Sequence, residues 1–123
     1  MDITPFDILL VMAGGAIGAA LRFLAGQMID SDFPWATFAV NVIGAFLLAF
    51  LTFAFTGMSD TAKLFLFTGL LGAFTTMSTF TLETTTLFFD GRMWEAGLNV
   101  ILNVGLCLGG AVLGRYTGLL LVS

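Results

Sequence analysis

Long charge-free runs are the feature that most limits what this chain can fold into. They cover residues 33–59, 64–82 and 96–114 and are 27, 19 and 19 residues long. A helix that crosses a bilayer needs about 20 mostly apolar residues, so each run is long enough. A fourth stretch, residues 8–28, contains one charge, Arg22, near its end. The sequence therefore predicts four transmembrane helices.

We expect residues 1–123 to form one all-α transmembrane domain, with spans at about 5–29, 34–57, 62–89 and 94–121. Charged residues make up only 10% of the chain, against about a quarter in a soluble domain. The chain has no histidine, the side chain that usually moves protons near neutral pH, so we expect no enzyme. The net charge of −4 leaves no basic patch for nucleic acid.

The cationic residues balance across the predicted membrane. Lys63 and Arg115 fall on the side that holds both termini and the second loop, and Arg22 and Arg92 fall on the opposite side. Orientation in a membrane normally follows an excess of Lys and Arg on one side. Because this chain has none, we expect it to insert in both orientations and to pair as an antiparallel homodimer. Four spans also leave little room for a pathway within one protomer.

Small residues recur at four-residue spacing, as in Gly14 with Gly18, Gly105 with Gly109 and Gly114 with Gly118. This spacing lets helix backbones approach closely in lipid, where packing drives association. We interpret these glycines as packing positions.

The third predicted span is unusual because residues 68–86 combine glycines with a dense run of hydroxyl side chains. Gly and Thr both weaken a helix, and non-helical backbone at this depth is tolerated only inside protein or beside a wet cavity. We therefore predict a broken helix between about Gly72 and Ser78. Such a break presents amides and carbonyls that bind ions of either sign. The alternative is a continuous helix whose threonines bond back to their own turn.

Isolated amides mark two other spans. Asn41 lies one turn after Thr37, and Asn99, Asn103 and Cys107 recur at every fourth residue of the last span. Asn in a membrane often joins helices, and for Asn99 and Asn103 this role and pore lining both stay open. We interpret Asn41 as functional, because its amide donates two hydrogen bonds without carrying charge.

Glu83 is the one carboxylate that lies away from the ends of the predicted spans and is a functional candidate for that reason. We expect Thr79 and residues 84–86 to solvate it. Since Arg22 is the one cation clearly within a span, an anion pathway would depend on neutral donors, which suits a small, hard, strongly hydrated anion. Met77 and Phe80 would share a face of any helix there.

Three motifs together resemble the Fluc (CrcB) family of fluoride channels, and the resemblance covers nearly the whole chain. GGAIGAALRF at residues 14–23 is similar to the family's GGxxGAxxR(Y/F), and WATFAVNVIG at 35–44 is similar to GTLxVNxxG. GLLGAFTTMSTFTLE at 69–83 is similar to GxxGxxTTFSTFxxE. The resemblance implies an antiparallel, dual-topology homodimer in the bacterial or archaeal cell membrane. It also implies two fluoride pores, a structural sodium ion at the dimer interface, and passive export of cytoplasmic fluoride that relieves its toxicity.

The resemblance also implies roles for single residues. Sodium would be held by the main-chain carbonyls of Gly72 and Thr75 from both protomers, and Asn41 would contact fluoride. The rest of the fluoride pathway would comprise Thr37, Met77, Ser78, Thr79, Phe80 and Glu83. Arg22 would lie in a vestibule, and Asn99, Asn103 and Cys107 fall where the family has a polar track.

The sequence departs from the family pattern at two places, one in the predicted pathway and one at the entry to the second span. Met77 stands where the family usually has its first pore phenylalanine, and a flexible thioether replaces a rigid ring edge. Trp35 and Ala36 replace the usual Pro-Gly entry to the second span.

The alternative class is a proton-coupled small multidrug exporter with four spans and dual topology. That chemistry needs a carboxylate in the middle of the first helix, whereas Asp7 lies near its end and Glu83 is in the third span.

Overall fold

A computed structural model describes residues 2–122, which are helical in four spans. The elements are α1 (Pro5–Met28), α2 (Trp35–Ala54), α3 (Asp60–Lys63), a π-helix (Leu64–Leu71), α4 (Gly72–Phe74), α5 (Met77–Phe89) and α6 (Met93–Val122). The stretch Asp60–Phe89 is the third span, and all four spans are long and apolar enough to cross a membrane. The chain is a multi-pass membrane protein, as the charge-free runs predict.

The third span is interrupted at Thr75 and Thr76, which both have extended backbone. A new helix begins directly after them, because the Thr76 hydroxyl accepts a hydrogen bond from the Thr79 N–H at 3.1 Å. This is the usual way in which a threonine caps a helix N-terminus. The third span is therefore interrupted within the predicted region, while Asp60–Phe89 still forms one joined span. The preceding π-helix, with its wider turns, was not predicted.

The threonines of α5 bond back to their own helix. The third span therefore contains both predicted features, a break at Thr75 and Thr76 and a regular threonine-rich helix after it. The hydroxyls of Thr81, Thr84, Thr85 and Thr86 each donate to the carbonyl four residues earlier, at 2.8 Å. Hydroxyl-rich sequence after the break is thus compatible with a regular helix.

Two helix pairs make most of the packing: α1 lies against the π-helix and α4, and α2 lies along α6. Glycines allow the backbones of both pairs to approach closely. A Cβ at Gly18 would overlap the backbone of Leu70, and a Cβ at Gly114 would overlap the backbone of Phe46. The packing interpretation is confirmed for these glycines. A Cβ at Gly105 would meet nothing within 4 Å in the protomer.

Ionic contacts join the two loops on one side of the protein. The Arg92 guanidinium lies 2.9 Å from a carboxylate oxygen of Asp32 in the α1–α2 loop and also pairs with Glu95. The carboxylates of Glu95 and Asp32 raise the pKa of Arg92 above its ordinary value. On the other side, the Arg115 guanidinium lies 5.0 Å from the centre of the Phe53 ring, which is within the range of a cation–π interaction.

Candidate functional site: the broken third span

Asn41 of α2 binds the break from outside the third span. Its Oδ1 accepts from the Thr76 N–H at 2.8 Å, and its Nδ2 donates to the Thr76 carbonyl at 3.1 Å. Both backbone groups of an interrupted residue are therefore satisfied by one side chain. This solves the main problem of irregular backbone at membrane depth, where water cannot compensate an unpaired group.

The two carbonyls predicted as sodium ligands lie at this break. In a continuous helix the Gly72 carbonyl would accept from the Thr76 N–H, but that N–H donates to Asn41. Likewise the Thr79 N–H, which would bond to Thr75, donates instead to the Thr76 hydroxyl. The interruption thus withdraws the regular helical donor from both carbonyls. Carbonyl oxygens are the ligands that hard cations prefer.

Arg22 of α1 satisfies a third carbonyl at the break. Its Nε donates to the Ala73 carbonyl at 3.0 Å. The guanidinium therefore lies at the carboxyl-terminal end of α4, where the helix dipole favours positive charge. The amino-terminal end of α5, which favours negative charge, begins three residues later in the chain. The break therefore offers surroundings for ions of both signs.

A cavity of about 510 Å³ opens beside the break on the flank of the protomer. Its lining includes the predicted site residues Asn41, Gly72, Thr75, Met77, Phe80, Asn103 and Cys107. Met77 is 73% exposed and Phe80 is 9% exposed, and both line this cavity, as their spacing predicts. The Ser78 hydroxyl lies 3.3 Å from that of Thr76, and Ser78 is not part of the cavity lining.

A second cavity, of about 320 Å³, lies on the α1–α2 loop side of the break. Its lining includes the predicted residues Arg22, Thr37, Thr79 and Glu83. Thr76 lines both cavities. The structure therefore gathers the predicted site residues, except Ser78 and Asn99, into two groups, and the backbone held by Asn41 lies where the groups meet.

Glu83 is not solvated in the way the sequence predicts. Its Oε1 is buried and has no hydrogen-bond partner among the described residues. The hydroxyls of Thr84, Thr85 and Thr86 donate to their own helix, so that part of the prediction is wrong. Backbone carbonyls one turn back are closer acceptors for these short side chains than a carboxylate on the same helix. Glu83 instead lies beside Thr37.

Asn99 and Asn103 continue the polar contacts of Asn41 into α6. Asn41 Nδ2 donates to Asn103 Oδ1 at 3.2 Å, and Asn103 Nδ2 donates to Asn99 Oδ1 at 3.0 Å. Asn99 Nδ2 then donates to the Thr84 hydroxyl at 2.9 Å. These two amides therefore join helices, which is one of the two roles left open for them.

Two residues of the site were missed or misassigned from sequence. Thr76 holds the central position but was not singled out, although threonine is one of the residues preferred at a helix N-cap. Thr84 was expected to solvate Glu83, but its hydroxyl accepts a hydrogen bond from Asn99 instead. Within residues 2–122 no group of three His, Cys, Asp or Glu side chains is placed to hold a metal ion.

Four apolar spans, the third of them interrupted, define a small multi-pass membrane protein, and its similarity to known proteins indicates which kind. Residues 9–115 match the family described as CrcB-like protein, Camphor Resistance (CrcB), and the chain belongs to this family. A protein of Roseobacter denitrificans named Fluoride-specific ion channel FluC is 44% identical over 118 residues, which cover 89% of this chain and 93% of that protein. Identity is 42% over 113 residues with the FluC of Elusimicrobium minutum, covering 88% and 90% of the two chains.

The similarity extends to archaea. The Fluoride-specific ion channel FluC of Methanococcus maripaludis is 40% identical over 117 residues, which cover 92% of this chain and 96% of that protein. The family is one of ion channels and not of enzymes, as the absence of histidine led us to expect.

Proposed function

We propose that this chain is a fluoride-selective channel that lets cytoplasmic fluoride leave the cell passively and so relieves fluoride toxicity. The observation that carries the proposal is the Asn41 amide, which holds the backbone of Thr76 at the junction of two cavities. The names of relatives at 40–44% identity support the choice of fluoride.

The donors around the break suit a small anion. Fluoride is hard and strongly hydrated, so a pathway must replace its water with compact hydrogen-bond donors. In this proposal Thr37, Ser78 and Thr79 supply hydroxyls, Asn41 supplies an amide, and the Phe80 ring supplies its positive edge. Arg22 and the amino-terminal end of α5 attract the anion into the smaller cavity. Glu83 lines that cavity and Met77 lines the larger one.

Both donor hydrogens of Asn41 are already engaged within the protomer. One is donated to the Thr76 carbonyl and the other to Asn103 Oδ1. A fluoride ion that binds Asn41 therefore has to take the place of one acceptor. Asn103 is the acceptor that is a side chain and lines the larger cavity, so exchange at Asn103 leaves the backbone at the break undisturbed.

A second, inverted copy of the chain completes the channel in this proposal. The larger cavity places Gly72, Thr75 and Asn103 along an open flank of one protomer, and irregular backbone with polar groups is not tolerated facing lipid. A partner that covers this flank removes the conflict. The balance of Lys63 and Arg115 against Arg22 and Arg92 supports an antiparallel arrangement.

Sodium fits the break as a structural ion. The Gly72 and Thr75 carbonyls lack their regular helical donors, because the N–H groups of Thr76 and Thr79 are engaged elsewhere. Gly72 is also exposed on the protomer, so its carbonyl is available to an ion shared with a partner. When bound, sodium would supply positive charge that neutralises these carbonyl dipoles, and the same two residues of each protomer would hold it.

The proposal is tested with purified protein in liposomes. Fluoride and chloride efflux are recorded separately, each with and without a proton gradient. Fluoride efflux that exceeds chloride efflux and ignores the gradient is the expected result. Proton-dependent movement of a cationic drug without fluoride efflux would favour the exporter alternative and overturn the proposal.

A further inference from the structure

A one-way series of hydrogen bonds runs from the break through α6 and ends on α5. Asn41 Nδ2 donates to Asn103 Oδ1 at 3.2 Å, and Asn103 Nδ2 donates to Asn99 Oδ1 at 3.0 Å. Asn99 Nδ2 donates to Thr84 Oγ1 at 2.9 Å, and the Thr84 hydroxyl donates to the Phe80 carbonyl at 2.8 Å. We call the side chains of Asn103, Asn99 and Thr84 the amide relay.

The relay has only one consistent direction. A carbonyl only accepts, so the Thr84 hydroxyl must donate to Phe80, and its oxygen is left to accept from Asn99. Asn99 must then turn its NH₂ group toward Thr84 and its oxygen toward Asn103. By the same reasoning Asn103 turns its oxygen toward Asn41. Asn103 Nδ2 also donates to the Asn99 backbone carbonyl at 3.0 Å, so the backbones of α5 and α6 together determine which atom Asn41 meets on α6.

Both amides of the relay are buried, but only Asn103 faces a cavity. Asn99 is 1% exposed and Asn103 is 4% exposed. Asn103 lines the larger cavity together with Asn41, whereas Asn99 lines neither cavity of the site. An ion in either cavity therefore has no contact with Asn99, and any effect of Asn99 on that ion must act through its neighbours.

We propose that Asn99, Asn103 and Thr84 are positioning residues that fix the partner of the second donor hydrogen of Asn41. This deepens the proposed function and rests on it. The relay holds Asn103 Oδ1 against one Asn41 donor, and a fluoride ion takes that donor by displacing Asn103 Oδ1. When the ion leaves, Asn103 returns to the same donor because its amide is held by the Asn99 carbonyl and by the Asn99 side chain, which Thr84 orients. The second donor hydrogen of Asn41 therefore always has an acceptor, either Asn103 Oδ1 or the ion, and it points in one direction.

The test removes the far end of the relay, which is distant from the ion. Thr84→Val keeps the shape of the side chain and deletes the hydroxyl, whereas Thr84→Ser keeps the hydroxyl. Thr86→Val is the matched control, because the Thr86 hydroxyl also donates one turn back, to Leu82, and takes no part in the relay. We expect Thr84→Val to slow fluoride efflux per reconstituted channel about threefold to tenfold, the effect of one lost hydrogen bond. Thr84→Ser and Thr86→Val should stay within about twofold of the unmodified chain.

A second readout does not depend on transport. The side-chain amide signals of Asn41 are assigned by NMR through their loss in Asn41→Ser, and are then followed in the three threonine variants. Thr84→Val should shift the Asn41 signals, and Thr86→Val should not. Efflux that falls without a shift, a shift without a fall in efflux, or neither change overturns the proposal. If the unmodified chain passes no fluoride, the proposed function fails, and the NMR comparison alone decides whether the relay extends from Thr84 to Asn41.

Discussion

The side-chain amide of Asn41 and the backbone of Thr76 form a two-point pair, with Oδ1 accepting at 2.8 Å and Nδ2 donating at 3.1 Å. The two residues are 35 positions apart, and their contact joins α2 to the interruption in the third span. It replaces the helical hydrogen bond that Thr76 lacks and withdraws the Thr76 N–H from Gly72. One side chain therefore both stabilises the break and deprives the Gly72 carbonyl of its regular helical donor.

Replacing Asn41 with leucine tests this pair. Asn41→Leu keeps approximate size but leaves the Thr76 N–H and carbonyl without partners. We expect the free energy of unfolding in detergent to fall by about 1–3 kcal/mol, the cost of unsatisfied buried groups. Fluoride efflux should be lost, since the break is no longer held and the proposed donor is gone.

Thr52→Val is the control for Asn41→Leu, since Thr52 lies on the same helix and its hydroxyl donates to the Leu48 carbonyl on an exposed face. It should behave as the unmodified chain in both measurements. Efflux from Asn41→Leu at the unmodified rate would show that the amide is not part of the pathway.

The glycine contacts between α2 and α6 predict a large difference between two otherwise similar substitutions. Gly114→Ala puts a Cβ into the backbone of Phe46, whereas Gly97→Ala, on the same helix, meets nothing within 4 Å. We expect Gly114→Ala to destabilise the protein by about 1–3 kcal/mol through overpacking. Gly97→Ala should leave stability equal or raise it by up to about 1 kcal/mol, because alanine is the better helix former. Thermal unfolding of both variants in the same detergent makes the comparison, and equal loss in both would contradict it.

The break and its isolated amide were predictable from sequence because both are local departures from a simple apolar helix. Glycine and threonine weaken a helix wherever it packs, and an amide in an apolar span needs a partner whatever the fold. The identity of that partner was not predictable. Asn41 meets Thr76 only because α1, α2 and the third span pack in one particular arrangement.

The remaining differences have similar causes. The π-helix before the break leaves no signal in hydrophobic periodicity, since Leu64–Leu71 is apolar on nearly every side. The solvation expected for Glu83 failed because α5 is a regular helix, and its threonine hydroxyls reach carbonyls of their own turn. Each of these hydroxyls therefore bonds to the carbonyl four residues earlier and not to the nearby Glu83 carboxylate.

Met77 offers a direct test of the larger cavity as a pathway. Met77→Phe places an aromatic ring beside Phe80, as in the family motif that residues 69–83 resemble. We expect the unmodified chain to pass fluoride and the variant to pass it at a different rate, because a ring edge is stiffer and more polar than a thioether. Fluoride efflux from liposomes measures both.

Met12→Phe is the matched control for Met77→Phe, since Met12 is 62% exposed on α1 and lines neither cavity of the site. It should leave efflux unchanged. Equal rates for all three chains would mean that position 77 does not limit flow.

The proposed sodium site predicts an ion-specific stability. Because main-chain carbonyls of Gly72 and Thr75 would be the ligands, stability should rise with the logarithm of sodium concentration, as for any ligand of the folded state. A bulky organic cation at the same ionic strength should give no such rise. Thermal unfolding of the purified protein across both concentration series provides the test, and superimposable curves would remove sodium from the proposal.

Dual topology predicts that orientation can be fixed by charge and that one orientation alone is inactive. Thr56→Lys with Gly57→Lys adds two cations to the exposed α2–α3 loop, and Ser31→Lys with Asp90→Lys adds two to the opposite side. Each pair should hold the chain in one orientation, because Lys-rich loops stay in the cytoplasm.

We expect neither locked chain to export fluoride by itself, and we expect coexpression of the two to restore export, since only then does an inverted partner cover the flank that contains Gly72 and Asn103. Fluoride resistance of cells that lack their own exporter reports the outcome. Labelling of an added cysteine from outside the cell checks that each chain is locked. Export by a single locked chain would mean that the protomers pair in parallel or act alone. The two-against-two balance of cations would then have no role in assembly.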